Sequence, residues 1–414
     1  MHSVRRYATL AWALLPCASF ALDGVPMRGS LTLSKAMESA LLNSPILAAA
    51  RLEAEARDGD RLQARLPDNP QLGVEFENFG STGALDEEKR ELTTRVSQTV
   101  DAGRIARGTV AKRESEQSKA ELEMARTELR TRVRMHYVAM QAAQDRSGLS
   151  SELLALARRA HEAAREKVLA GKAPPTDSLQ SFMAFSQARL DSGKAASGLV
   201  SARRAMAAAC GMGDPDFESV DGRLELDKTL PPWDQVANRI TEGPAWKRIG
   251  FDAKVKEAEV QSEELARLPP LTLEAGIRQE PEKHGRAFVA GLSLPLPAWN
   301  WNQGAIRAAR SRKLKAEAEG KAERLDLMER FAALHGRAEV SRQEAAALRD
   351  QILPAAQATF EGAQEAYRVG KFSSLDALNA QRGLFDAKVQ YLDALEAFHT
   401  AMAELEEATG AEFR

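Results

Sequence analysis

Cysteine is nearly absent: Cys17 and Cys210 are the only two in the chain. With Cys17 inside an N-terminal leader, a single thiol is left, and an internal disulfide is excluded. Aromatic residues make up 6%, too few for a thick globular core. After the leader, no stretch approaches the 18 or more apolar residues that mark a membrane-spanning helix. An excess of one charge is missing too. Formal net charge is −2 with acids and bases interleaved, so there is no basic footprint for nucleic acid. What fills the chain is Ala, Glu, Arg, Leu and Gln, with 28% charged residues. That is the composition of long, exposed helices.

The leader has the grammar of an export signal. Arg5 and Arg6 precede an apolar run from Tyr7 to Leu15, and Ser19-Phe20-Ala21 supplies small residues for cleavage after Ala21. Cys17, three residues after Leu14, sketches a lipidation site that Pro16 fits poorly. An exported chain of this composition either stays soluble in the periplasm or enters a membrane as strands.

The mature part is written twice. Gly171 and Gly370, Lys172 and Lys371, Asp177 and Asp376, and Leu179 and Leu378 all stand 199 residues apart, as do Ser44-Pro45 and Gly243-Pro244. Arg65-Leu66-Pro67 recurs as Arg267-Leu268-Pro269 with an offset of 202. A period near 200 is too long for a solenoid unit and reads as two fused halves. The division is a signal peptide at 1–21, a first repeat at 22–225 and a second at 226–414. Each repeat runs helix, β-hairpin, long helix, return helix, with the hairpins at 71–100 and 271–296.

Helix signals open each half. Ser34 is expected to cap the first helix, and Ser44 followed by Pro45 restarts it. Alternation then takes over: Leu72, Val74 and Phe76 face one way, with Leu92, Thr94, Val96 and Gln98 on the next strand. Leu271, Leu273, Ala275 and Ile277, then Phe288, Ala290, Leu292 and Leu294, repeat the pattern. Strands of this length cross an outer membrane at a tilt. Four strands cannot close a barrel alone, and open edges in lipid leave backbone groups unpaired. Partners are required. Trp299 and Trp301, just past the last strand, suit either an interfacial aromatic belt or a staple at the strand-to-helix junction.

Between Arg104 and Ala170 there is no proline. Within this stretch Leu122, Ala125, Leu129, Val133, His136, Met140 and Ala143 step at the coiled-coil period, and His136 reads as a packed side chain. The second long helix carries Pro354, which is expected to bend it. Both long helices stop at the repeated glycine turn.

Catalytic signatures fail one by one. His161-Glu162 opens a zinc-protease pattern that Arg165 closes off, and Gly171-Lys172 and Gly370-Lys371 end like phosphate loops but lack their first glycines. The histidines at 136, 161, 284, 335 and 399 keep no ligand spacing. No enzyme activity, metal site or cofactor is expected. A soluble periplasmic coiled-coil scaffold is the rival reading, though it has no need of four symmetrically placed strands.

The leader, the doubled order of elements and the motif Tyr367-x-Val369-Gly370-x-x-x-Ser374-x-x-x-Leu378 resemble the TolC-type outer-membrane efflux proteins. The stretch from Leu31 to Gly80 further resembles the CzcC branch, the outer-membrane components of heavy-metal efflux. The resemblance implies a mostly α chain with a membrane β-barrel: long coiled-coil helices form a periplasmic tunnel, and four strands per chain enter a trimeric 12-stranded barrel. It implies a passive duct in the outer membrane of a Gram-negative bacterium. Its partners would be a periplasmic adaptor (membrane fusion protein), an inner-membrane RND pump and outer-membrane lipid. Heavy-metal cations are the implied cargo; drug efflux or type I protein secretion is the alternative. Gly171 and Gly370 match the family's tip glycines, and with Lys172, Lys371 and Ser374 they would meet the adaptor. Asp376 matches an aspartate facing the periplasmic entrance, with Asp177 its counterpart in the first repeat. Asn379 stands where a second acid is common, leaving the entrance less negative, and Pro174-Pro175 stiffens the first tip.

Overall fold

A stretch of 67 residues free of proline becomes one uninterrupted helix, Gly103–Leu169, about 100 Å long at a rise of ~1.5 Å per residue. The computed structural model describes residues 29–77, 90–280, 285–369 and 371–410. The signal expected over 1–21, with Cys17, lies outside the described residues, as do Gly370 and His284.

In the first half come β1 (Ser30–Leu31), α1 (Leu33–Asn43), α2 (Pro45–Gln63), β2 (Gln71–Glu77), β3 (Glu91–Val100), α3 (Gly103–Leu169), α4 (Pro175–Ala209) and β4 (Ser219–Val220). The second half has α5 (Trp233–Ile240), α6 (Pro244–Leu265), β5 (Leu271–Glu280), β6 (Gly285–Ser293), α7 (Gln303–Ala347), a π-helical turn (Leu348–Ile352), α8 (Leu353–Arg368) and α9 (Ser374–Thr409).

Local chemistry sets the boundaries. The Ser44 hydroxyl accepts from the Leu47 N–H at 3.3 Å, and Pro45 takes the first position of α2. The cap expected at Ser34 is instead Thr32, whose hydroxyl accepts from Lys35 N–H at 3.3 Å. Its extended backbone leaves Ser34 already inside the first turn. In the second half Gly243 replaces the serine cap because a Cβ there would lie 2.2 Å from the carbonyl oxygen of Ala408. The return helices end alike: Gly211 and Gly410 both adopt left-handed conformations, φ 77° and 64°.

At Pro354 the structure shows a change of helical pitch. Pro354 offers no N–H and its ring would collide with the carbonyl of Asp350 four residues back. The π turn immediately before it absorbs the mismatch, and the helix resumes as α8.

Helix α3 packs along α4 and also touches α2, α6 and α9. Seam residues Leu129, Val133 and Met140 are buried with Met206, Ala207 and Phe217, each large side chain contributing about 1.5–3 kcal/mol. His136 lies half-buried beside Leu129 and Ala205; burial, and then Arg132, hold its imidazole below the ordinary pKa. The buried band is wider than the expected seam because Tyr137 and Val138 also turn inward. The Tyr137 hydroxyl donates to the Asp221 carbonyl at 2.8 Å. Gln141 donates to the same oxygen at 2.8 Å, and Gln144 accepts from the Val220 N–H at 2.7 Å. Together they press the parallel pair β1–β4 onto α3. Cys210 is buried in this core, where burial pushes its thiol up to about 11, keeping it inert at neutral pH.

Candidate functional sites in the sheet and at the helical tips

The two expected hairpins join through β3 and β5 into one antiparallel sheet of order β2-β3-β5-β6. Register decides what each face carries. Val74 lies opposite Thr94, Thr94 opposite Ile277, and Ile277 opposite Phe288. One face is therefore an apolar row in the open, with Phe288 94% exposed. On the other face Arg95 is ion-paired with Glu75 on β2 and with Glu274 on β5 at 3.3 Å. Arg278 pairs with Glu91 at 3.0 Å, and Thr99 and Thr272 share a hydrogen bond of 3.1 Å. Apolar outside and hydrogen-bonded charge inside is the division that a lipid-facing barrel wall needs. Gly276 sits at the β3–β5 junction, where an added Cβ would stand 2.4 Å from the Thr94 carbonyl oxygen.

At the junction after β6, Trp299 is 90% exposed and staples nothing, while Trp301 is half-exposed. Asn302 holds the junction instead. It takes a left-handed φ of 60° and donates from Nδ2 to the Glu263 carbonyl at 2.9 Å and carboxylate at 2.7 Å. An asparagine tolerates that conformation, which tryptophan does not.

Both tips close with the same bond, Lys172 N–H to Lys167 O and Lys371 N–H to Ala366 O, each 2.8 Å. Gly171 provides the left-handed residue at φ 69°. Lys167 of the first tip rests over the Tyr367 ring of the second at 3.9 Å, a cation–π contact tying the two together. Gly171, Lys172 and Lys371 are exposed; Ser374 is buried and its hydroxyl has no partner among the described residues. The spacing that suggested a contact surface for Ser374 misses that it faces into the tip. Phe372, half-exposed beside Lys371, is a surface residue sequence reasoning passed over.

The tips differ in their helix starts. Ser373 and Asp376 form a capping box: the Ser373 hydroxyl accepts from Asp376 N–H at 3.2 Å, and the Asp376 carboxylate accepts from Ser373 N–H at 3.0 Å. Bonds from the Ser373 hydroxyl and then its backbone hold the Asp376 carboxyl below the usual range. The S-x-x-D spacing was the readable signal. Pro174 occupies the matching cap of α4 and has neither hydroxyl nor N–H, so the Asp177 carboxylate has no hydrogen-bond partner among the described residues. Asp376 is committed to its own helix, Asp177 is available, and Asn379 is exposed one turn further on.

Ser373→Ala should speed hydrogen exchange at the first turn of α9 by about fivefold and leave α4 unchanged. Because the folded pKa of Asp376 lies below the ordinary ~3.9, the box is intact at neutral pH and lost as pH falls through the folded value. A protection factor at that turn, taken against the intrinsic exchange rate at each pH, that stays unchanged as pH falls through the folded value would contradict it.

The described residues contain no group of three or more His, Cys, Asp or Glu placed to hold a metal ion. The family model "Outer membrane efflux protein" matches residues 36–212 and 251–411. The cobalt-zinc-cadmium resistance protein CzcC of Cupriavidus metallidurans is 29% identical over 384 residues, covering 92% of this chain and 90% of its own. The nickel and cobalt resistance protein CnrC of the same organism is 27% identical over 324 residues, covering 78% and 75%. Among solved structures, CusC superposes with a TM-score of 0.77 at 16% identity, covering 92% of each chain. The open-state outer membrane channel MtrE of Neisseria gonorrhoeae superposes at 0.75 and 18% identity, covering 92% of this chain and 89% of its own. At such identities the structures speak to the fold alone, mostly α with a four-stranded antiparallel sheet.

Proposed function

This chain belongs to the outer membrane efflux protein family, and on that premise we propose that three copies assemble into a passive duct exporting heavy-metal cations across the outer membrane. The observation that carries the assembly is the two-faced sheet, whose outer strands β2 and β6 have no partner on their outer edges among the described residues. Unpaired edge groups in lipid cost several kcal/mol each. Three copies of four strands make a closed barrel of twelve, wide enough for a lumen.

The helices then form the periplasmic tunnel. Two tips per chain present six similar turns, suited to a six-membered periplasmic adaptor that links the duct to an inner-membrane RND pump. Asp177, Asp376 and Asn379 stand at that entrance, with Trp299 and Trp301 at the membrane boundary. Opening is a shift of the tip helices biased by adaptor contact, since two packings of such helices can differ by a few kcal/mol. The cargo is suggested by the relatives named for cobalt, zinc, cadmium and nickel resistance. In this reading the chain binds no cofactor and catalyses nothing.

Deleting the gene and plating on graded zinc, cadmium, cobalt, copper and silver, beside drugs and bile salts, tests the cargo. Lost tolerance to one or more metals is expected. Sensitivity to drugs alone would move the duct to drug efflux. Single-channel conductance tests the entrance: Asp376→Ala that conducts as wild type would remove Asp376 from gating and leave its capping role.

A further inference from the structure

We propose that the groove between the end of α2 and the first turns of α3 binds the phosphate of an anionic phospholipid from the periplasmic leaflet, through Arg61, Arg65 and Arg104. With Lys112 these residues line a cavity of about 350 Å³. No acid lines it. Lys112 pairs with Glu116 at 3.8 Å, and Asp101, near Arg104, is occupied by Arg107 and by the Gly103 N–H, each at 2.7 Å. The three guanidinium groups have no ion-pair partner among the described residues. Asp58 and Asp101 act on Arg61 and Arg104 only through space, without an ion pair, and guanidinium forks match phosphate oxygens two at a time.

Position selects the kind of phosphate. Arg65 precedes the start of β2 at Gln71 by six residues, and Arg104 follows the end of β3 at Val100 by four. The groove thus lies at the rim of the apolar sheet, within the headgroup layer roughly 5 to 7 Å thick. Leu62, Ile105 and Leu66 beside it are 64, 72 and 49% exposed. Apolar side chains around a cationic pocket suit a phosphate with acyl chains attached.

The second half supplies an internal control. In the 202-residue register of the repeated Arg-Leu-Pro, Arg61 corresponds to Glu263, which accepts from Asn302, and the neighbouring Glu264 pairs with Arg310 at 2.6 Å. The corresponding place is neutralised from within. The two halves differ at this position: the first half has Arg61 where the second has an acid, while Arg65 keeps its counterpart in Arg267.

The site rests on the outer-membrane reading. The test is native mass spectrometry of the full-length protein extracted from the outer membrane and exposed to phosphatidylglycerol, phosphatidylcholine or inorganic phosphate. Phosphatidylglycerol should be retained and phosphatidylcholine lost. Replacing all three arginines by glutamine should lower retention by about tenfold or more, and replacing them by lysine should lower it less, since charge stays while the fork goes. Equal retention by the glutamine variant overturns the site, as does displacement of the lipid by millimolar inorganic phosphate. Copies that separate in the glutamine variant with lipid retention unchanged would assign the arginines to a neighbouring copy's acids. Outer-membrane insertion is scored separately: its failure in the wild type would count against the outer-membrane reading, and lost retention only against this site.

Discussion

Gly276→Val should leave the chain unable to build its membrane sheet, with little of it recovered in the outer-membrane fraction or in cross-linked oligomers. The reason is local and backbone-deep. Gly276 pairs with Arg95 where the two hairpins meet, and a Cβ would lie 2.4 Å from the Thr94 carbonyl oxygen and 2.9 Å from the Arg95 Cα. Neither atom belongs to a side chain that can swing away. Relief requires β3 and β5 to part, which opens a new edge in lipid. The cost should reach about 3 kcal/mol or more, the upper end of overpacking. Gly291→Ala is the control, since its Cβ would meet first the carboxylate end of Glu274, at 3.3 Å, and that side chain can move. If Gly276→Val assembled as well as Gly291→Ala, the junction would not depend on the missing side chain.

Glu406→Ala should destabilise the periplasmic body by about 3–5 kcal/mol, the usual loss when one partner of a buried ion pair is removed. Glu406 on α9 is 5% exposed. Its carboxylate is shared by Arg134 on α3 and by Lys228, 3.2 Å away, on the connection between halves. One acid thereby fastens three segments distant in sequence. Glu406→Gln keeps the shape and removes the charge, so it should lose most of the same stability. The measurement is thermal melting of the detergent-solubilised protein. Melting of Glu406→Gln close to that of wild type would mean that packing, rather than charge, holds this junction.

Several of these features were legible in the sequence. The absence of proline announced α3, alternation at Leu72-Val74-Phe76 and Phe288-Ala290-Leu292 announced the strands, and the doubled Gly-Lys turn announced the tips. Others had no local signature. Glu406 sits among Glu404 and Glu407 and reads as a solvated helix face; only the helix packing buries it. The pair β1–β4 uses two residues from each strand, too few for any period to register. Trp299 looked able to staple its junction until the backbone assigned that work to Asn302.

By itself the sequence determined what lies within reach of neighbouring residues: helix length, strand alternation, turn chemistry and the duplication. These depend on propensities and spacings that the chain carries along its length. Tertiary structure alone decided which strands meet across 179 residues, as Arg95 and Glu274 do, which acid becomes buried, and which arginines find no partner. Those outcomes depend on distances set by folding, where a charge is stabilised or left wanting according to what the rest of the chain brings beside it.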